Sequence, residues 1–176
     1  MEQPITFWSL ITSGKKIVIP TIQRDYAQGR IGKEYLRCNF LETIKSALLD
    51  VNKPLTMDFV YGADEETRFV PLDGQQRLTT LWLLHWYVAY KSEILEEVRE
   101  KLINFAYETR ISSTQFCEAL CSLMPQPIEI NNNKNDAIIP LKNWIMQQTW
   151  FYHHYKQDPT IMAMINMICG TRTSDK

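Results

Sequence analysis

The chain has 176 residues, 45% of them hydrophobic and 22% charged, a composition that suits one compact domain or one domain with a helical extension. Its 19 Lys and Arg against 20 Asp and Glu leave a formal charge of -1, which excludes a global field advertising nucleic acid or an anionic membrane, so any anion site has to be local. The opening MEQPITFWSL lacks the cationic start and long apolar core of a secretory signal, LTTLWLLHWYVAY falls short of the roughly 20 apolar residues of a spanning helix, and Cys38, Cys117, Cys121 and Cys169 show no paired zinc spacing, so a cytoplasmic protein with reduced thiols and no membrane partner is expected.

In chain order, ITFWSL predicts a short helix, Ser13-Gly14 a turn, and KIVIP a strand closed by Pro20. The basic, aromatic segment QRDYAQGR reads as loop. In YLRCNFLETIKSALLD, residues Leu36, Phe40, Ile44 and Leu48 fall at helical spacing and predict an amphipathic helix. LTMDFVYG and RFVPLDG are strand candidates separated by the acidic turn ADEET. The second runs through Asp73-Gly74 into LTTLWLLHWYVAYK, a helix apolar around most of its circumference and so expected to be buried.

Beyond Lys91 the pattern reads as helix throughout: SEILEEVREKLINFAYET, SSTQFCEALCSLM, an Asn-rich break INNNKND, LKNWIMQQTWFYHHYK, and DPTIMAMINMI with Asp158-Pro159 as its start signal. The expected organisation is an α+β domain over residues 1–91, with a small mixed sheet and packed helices, and a helical extension over 92–176 that is shortened relative to full-length relatives. Cys117 and Cys121 share a helix face and read as buried small hydrophobes. His85 reads as a core residue and His153-His154 as surface.

The chemistry concentrates in Val70–Leu81, VPLDGQQRLTTL. Gly74 at a strand-to-helix junction permits a sharp turn, and the first amides of the following helix lie at the positive end of its dipole. Arg77 adds a planar fork for two phosphate oxygens, and Gln75 and Gln76 add amides suited to phosphate, ribose or base edges. Two roles stay open for Asp73: metal contact or water activation, or capping the helix and orienting Arg77. An Asp-Gly turn opening a helix also needs no ligand at all, and the spacing is not that of a Walker loop.

A second polar cluster, Gln23, Arg24, Asp25 and Tyr26, follows the first strand, with Arg30 close behind. Adjacent strands present their ends at one edge, so this cluster and Arg77 can converge on one ligand; the alternative is a solvated loop in which Arg24 pairs with Asp25. Tyr61-Gly62 offers a third junction, where an aromatic face can stack on a base.

The combination IPTIQRDYAQGR, FVYG, PLDGQQRLTTLWLL, FAYETRISSTQFC and DPTIMAMINMI resembles the N-terminal domain of the GmrSD-type family, the DGQQR-motif proteins, over nearly the whole chain. The resemblance implies a ParB and sulfiredoxin-like fold and a restriction-like bacterial defence protein acting on modified phage DNA. It ascribes nucleotide-dependent activity to Asp73, Gly74, Gln75, Gln76 and Arg77, and its IPxxQRxY element falls on Ile19, Pro20, Gln23, Arg24 and Tyr26. The implied function is an NTP-binding, NTP-hydrolysing sensor domain, with Mg²⁺ as the companion ion and DNA and a nuclease domain or subunit as partners. Tyr61, Gly62 and Arg30 are the residues suited to DNA or base contact, and Asp73 to metal. Sulfiredoxin's nucleophilic cysteine is replaced by glutamine in this loop, so thiol chemistry is not implied, and no His-Asn-His cluster for DNA cleavage occurs in the sequence. The alternative from another class is a non-catalytic module gripping the DNA backbone with the same loops.

Overall fold

The computed structural model describes residues 5–22, 24–50, 52, 54–57, 60–126 and 139–169. Among them, α1 (Phe7–Ile11) precedes β1 (Lys16–Ile19), and α2 (Glu34–Leu49) precedes the strands β2 (Gly62–Asp64) and β3 (Arg68–Pro71). Then come α3 (Gln75–Lys91), α4 (Leu95–Leu102), β4 (Phe105–Tyr107), α5 (Ile111–Leu120), α6 (Leu141–Met146), a 3-10 turn (His153–Gln157) and α7 (Pro159–Cys169). The class is α+β with a small mixed sheet, as the sequence predicts.

Strand β1 is the centre of the sheet, whose order is β2-β3-β1-β4. Ile17 and Ile19 alternate into the core from it. Parallel pairing sets Ile17 beside Phe69 of β3 and beside Phe105 of β4, while β2 returns antiparallel with Gly62 opposite Pro71. Three parallel strands therefore end at one edge, and the segments leaving β1, β3 and β4 emerge side by side.

Three sequence expectations change. FAY was expected within a helical region and is instead the edge strand β4, all three residues buried against β1. Its partner lies nearly ninety residues earlier, so no local period marks it. LTMDFVYG was expected as a strand, yet β2 begins only at Gly62 and takes residues expected as the acidic turn, because pairing with Pro71 sets the register; Asp58 and Phe59 lie outside the described residues. LKNWIMQQTWFYHHYK is not one helix. It breaks after Met146, which lets Trp150, Phe151 and Tyr155 surround the Phe116 ring at centroid separations of 5.9–6.3 Å. The Asn-rich segment INNNKND lies outside the described residues.

The expected boundary at Lys91 falls between α3 and α4, and both sides contribute to one sheet and one core. Helix α3 supplies Leu78, Trp82, Leu83 and Trp86 to that core, as its all-round apolarity requires. Trp82 Nε1 donates to the Leu102 carbonyl at 2.9 Å and Trp86 Nε1 to the Leu120 carbonyl at 2.8 Å, so both indoles are satisfied. Helix α2 is helical as predicted, but of its apolar stripe only Ile44 is buried, with Leu36 and Leu48 exposed. Cys117 on α5 and Cys121 just after it are both buried, and burial pushes both thiols up, Cys121 to about 12. His85 lies half-buried against Phe7 and Trp8, and His153 and His154 are exposed.

Helix α7 packs on α3 and fixes the loop after β1 from below. Asp158 caps it, Oδ1 accepting from the Thr160 amide at 2.9 Å and the Ile161 amide at 3.2 Å. Gly29 in that loop lies so close that a Cβ there would fall 1.7 Å from the Ala163 carbonyl oxygen. Neither backbone can yield. Gly29→Ala is therefore expected to lower the stability by roughly 3 kcal/mol or more, read as a lower urea midpoint at unchanged slope.

Candidate functional site

The edge where β1, β3 and β4 end collects the polar residues singled out in the sequence. At its centre Gly74 turns the chain from β3 into α3 with φ +87, a left-handed conformation that L side chains rarely adopt. A Cβ would also meet Val60 Cγ2 at 2.6 Å. No side chain caps the helix through Gly74, so its opening turn faces this edge under the backbone's own positive field.

Arg77 stands one turn into α3, its side chain 19% exposed, and its Nη2 donates to Asp73 Oδ2 at 3.0 Å. Asp73 is the outer partner at 54% exposure. Of the two roles open for Asp73, orientation of Arg77 is thus in place. Gln75 is buried at the start of the helix. Tyr61 is 61% exposed beside them, its carbonyl accepting from the Leu72 amide at 2.8 Å and the Asp73 amide at 3.1 Å. Gly62 opens β2 opposite Pro71 at the same edge.

Gln76 reaches the neighbouring junction. Its Oε1 accepts from the Ala27 amide at 2.8 Å, and its Nε2 donates to the Asp25 carbonyl at 3.0 Å. The side chain grips the loop after β1 by backbone groups on both sides of Tyr26. Tyr26 is 2% exposed, and its phenol shares a hydrogen bond with Thr80 Oγ1 at 2.8 Å. Burial raises its pKa far above that of a free phenol, so the ring stays neutral and packs. The Thr80 hydroxyl also meets Gln28 Oε1 and the Gln76 carbonyl, completing a buried polar chain between loop and helix. Next door, Thr79 Oγ1 bonds Tyr107 of β4 at 3.0 Å.

Arg24 is exposed on the same loop, and no hydrogen bond or ion pair ties it to another described residue. Asp25 pairs instead with Arg30, through Oδ2 at 2.9 Å, and with Arg110, through Oδ1. Gln23 lies outside the described residues. The structure thus brings Arg24, Tyr26, Arg30, Tyr61, Gly62 and Asp73 to Arg77 onto one edge. It buries the Tyr26 ring and turns the Gln76 amide onto its own chain.

Two residues at this edge escape a reading of the sequence. Arg110 follows β4 and donates through Nη1 to Thr160 Oγ1 at 3.1 Å as well as to Asp25. Thr160, in the first turn of α7, also accepts from the Tyr26 amide at 3.3 Å. The usable signal for Arg110 is its place shortly after a short strand, matching Arg24 and Arg77. It is hidden because FAY reads as helix. Below it, Glu108 accepts from the Thr21 amide at 3.0 Å and the Thr21 hydroxyl at 3.1 Å. The Thr21 amide holds the Glu108 carboxyl below the usual carboxylate range. This brace between the β1 and β4 junctions is therefore present near neutrality and lost only as acid titrates through that lowered value.

All of these residues fall inside one family match, that of the GmrSD restriction endonuclease, N-terminal domain, over residues 7–169. The chain belongs to this family. No curated protein and no solved structure matches it. Membership in the GmrSD family makes it a protein of restriction and phage defence, a setting of DNA and nuclease partners. No helix among the described residues is long and apolar enough to cross a membrane, and no group of three or more His, Cys, Asp or Glu gathers there to hold a metal.

The Gln76 clasp makes a prediction independent of any ligand. Gln76→Leu removes one donor and one acceptor from the loop and strands the Ala27 amide, at a cost of about 1–3 kcal/mol. Amide hydrogen exchange is expected to rise at residues 25–27 and in the loop around them, with the α3 interior still protected.

Proposed function

We propose that this edge binds the triphosphate of a nucleotide and hydrolyses it, making the chain the NTP-driven sensor part of a DNA-restriction system in the bacterial cytoplasm. The observation that carries the reading is the meeting of two junctions. The Gly74 turn aims Arg77 and the opening of α3 at the edge where β1 leaves Arg24 exposed. Two guanidiniums and a helix N-terminus suit several phosphate oxygens at once.

In this reading Arg77 and the amides of the Gly74-Gln75-Gln76 turn hold phosphate, while Arg24 approaches from the side. Gln76 and Tyr26 serve by fixing the loop that carries Arg24. The exposed Tyr61 ring offers a face for a base, and Gly62 after it lets β2 lie close against the backbone of Val70 and Pro71. Asp73 orients Arg77 and offers a carboxylate to a magnesium ion. That ion would arrive on the phosphates and keep several waters, since the described residues gather no protein cage for it. Hydrolysis joins a water oxygen to the γ-phosphorus and breaks the bond to the bridging oxygen, which leaves with the diphosphate. Charge neutralisation and alignment by Arg77 and Arg24 supply most of the rate. DNA and a nuclease partner are the intended recipients of the nucleotide signal, with Arg30 at the rim where DNA would approach.

The test is a thermal-shift panel of ATP, GTP, CTP and UTP, with and without Mg²⁺. At a hundredfold excess over Kd, a nucleotide bound only by the folded chain adds about 2.7 kcal/mol, a rise in Tm of roughly 5–10 °C. Arg77→Ala is expected to abolish the shift with the circular dichroism unchanged, and Asp73→Ala to abolish hydrolysis. A flat response from the parent to all four nucleotides sinks the reading. DNA binding that falls steeply with salt, without nucleotide turnover, would assign the same arginines to a DNA backbone instead.

A further inference from the structure

Asp25 presents an electrostatic problem that its neighbours solve. Its carboxylate sits one residue from Arg24, on an exposed loop, where pairing with that arginine is the simplest outcome. The pairing does not occur. Arg30 takes Oδ2 and Arg110 takes Oδ1, so both carboxylate oxygens are engaged by guanidiniums from elsewhere. Arg24 is left exposed and without a hydrogen bond or ion pair to any described residue.

The loop has anchors besides the Asp25 side chain. The backbone around it is already anchored, with the Asp25 carbonyl and Ala27 amide on Gln76 and the Tyr26 amide on Thr160. Arg110 is in turn fixed from below by Thr160. Of the two guanidiniums on Asp25, Arg110 is the one anchored to the helical layer, whereas Arg30 rides on the same loop five residues away. A rigid cation beside a carboxylate holds it better than a mobile one, since less side-chain freedom is lost in the pairing.

We propose that Arg110 is a positioning residue of the nucleotide site: by holding Asp25 away from Arg24, it keeps the Arg24 guanidinium available for phosphate. This rests on the nucleotide reading above and adds to it a residue that touches no ligand. Without Arg110, Asp25 regains an open oxygen next in sequence to Arg24, and a carboxylate drawn onto Arg24 would repel the incoming phosphate.

The experiment compares the parent with Arg110→Ala, Asp25→Asn and the double variant, measuring Kd for magnesium tripolyphosphate and for each of the four magnesium NTPs. Arg110→Ala is expected to weaken binding about tenfold. Asp25→Asn alone is expected to bind at least as tightly as the parent. The double variant is expected to return to within about threefold of the parent, because a neutral amide cannot capture Arg24. A residue that merely props the fold would give no such rescue. An Arg110→Ala chain that binds like the parent, or a double variant no better than Arg110→Ala, overturns the inference while leaving the nucleotide site standing. Should Arg110→Ala fail to fold, Asp25→Asn still decides: weaker binding than the parent overturns the proposal, and equal or tighter binding supports it. A parent that binds none of the probes overturns the nucleotide reading and this inference together.

Discussion

The carboxamide of Gln76 is the contact on which the rest of the edge depends. It leaves the first turn of α3 and closes on the backbone of the preceding junction, accepting from Ala27 and donating to Asp25. One donor and one acceptor on a planar amide match two peptide groups of the loop, a fit that neither a carboxylate nor an ammonium can make. Through it the turn that carries Arg77 and the loop that carries Arg24 become one unit. The buried chain of Tyr26, Thr80 and Gln28 repeats the link a turn deeper, in surroundings where a lost partner is expensive.

That unit has a floor. Helix α7 supplies Thr160 to the Tyr26 amide and a bare stretch of backbone to Gly29, while Asp158 ties its first turn to Ser112 and Ser113 of α5. The final helix of the described chain is thus joined to the loop after the first strand and to the helix after the last strand.

Asp73 stands beside the Gly74 turn as the partner of Arg77. Paired with Arg77 on one oxygen and half exposed, it fixes the direction of the guanidinium without neutralising the whole junction, because Arg24 adds a second positive charge nearby. On the nucleotide reading proposed above, an acidic residue beside the phosphates is tolerable on those terms.

Much of this was legible in the residues themselves. KIVIP bounded by Gly14 and Pro20 gave β1, the all-round apolar LTTLWLLHWYVAYK gave a buried helix, Asp158-Pro159 gave the start of α7, and the Gly74 turn with Arg77 gave the centre of the edge. Each rests on a period or a cap that operates within a few residues. What needed the tertiary structure rests on strand pairing and on contacts between separate segments. FAY becomes a strand only because β1 lies beside it. Gly62–Asp64 becomes β2 only because Pro71 sets the register. Asp25 meets Arg110 and not Arg24 only because β4 and α7 bring that guanidinium to it. Local sequence fixes which conformations and charges are possible at each position, whereas for β4 and for Asp25 the choice of partner is made by chain segments more than eighty residues away, whose identity no nearby pattern encodes.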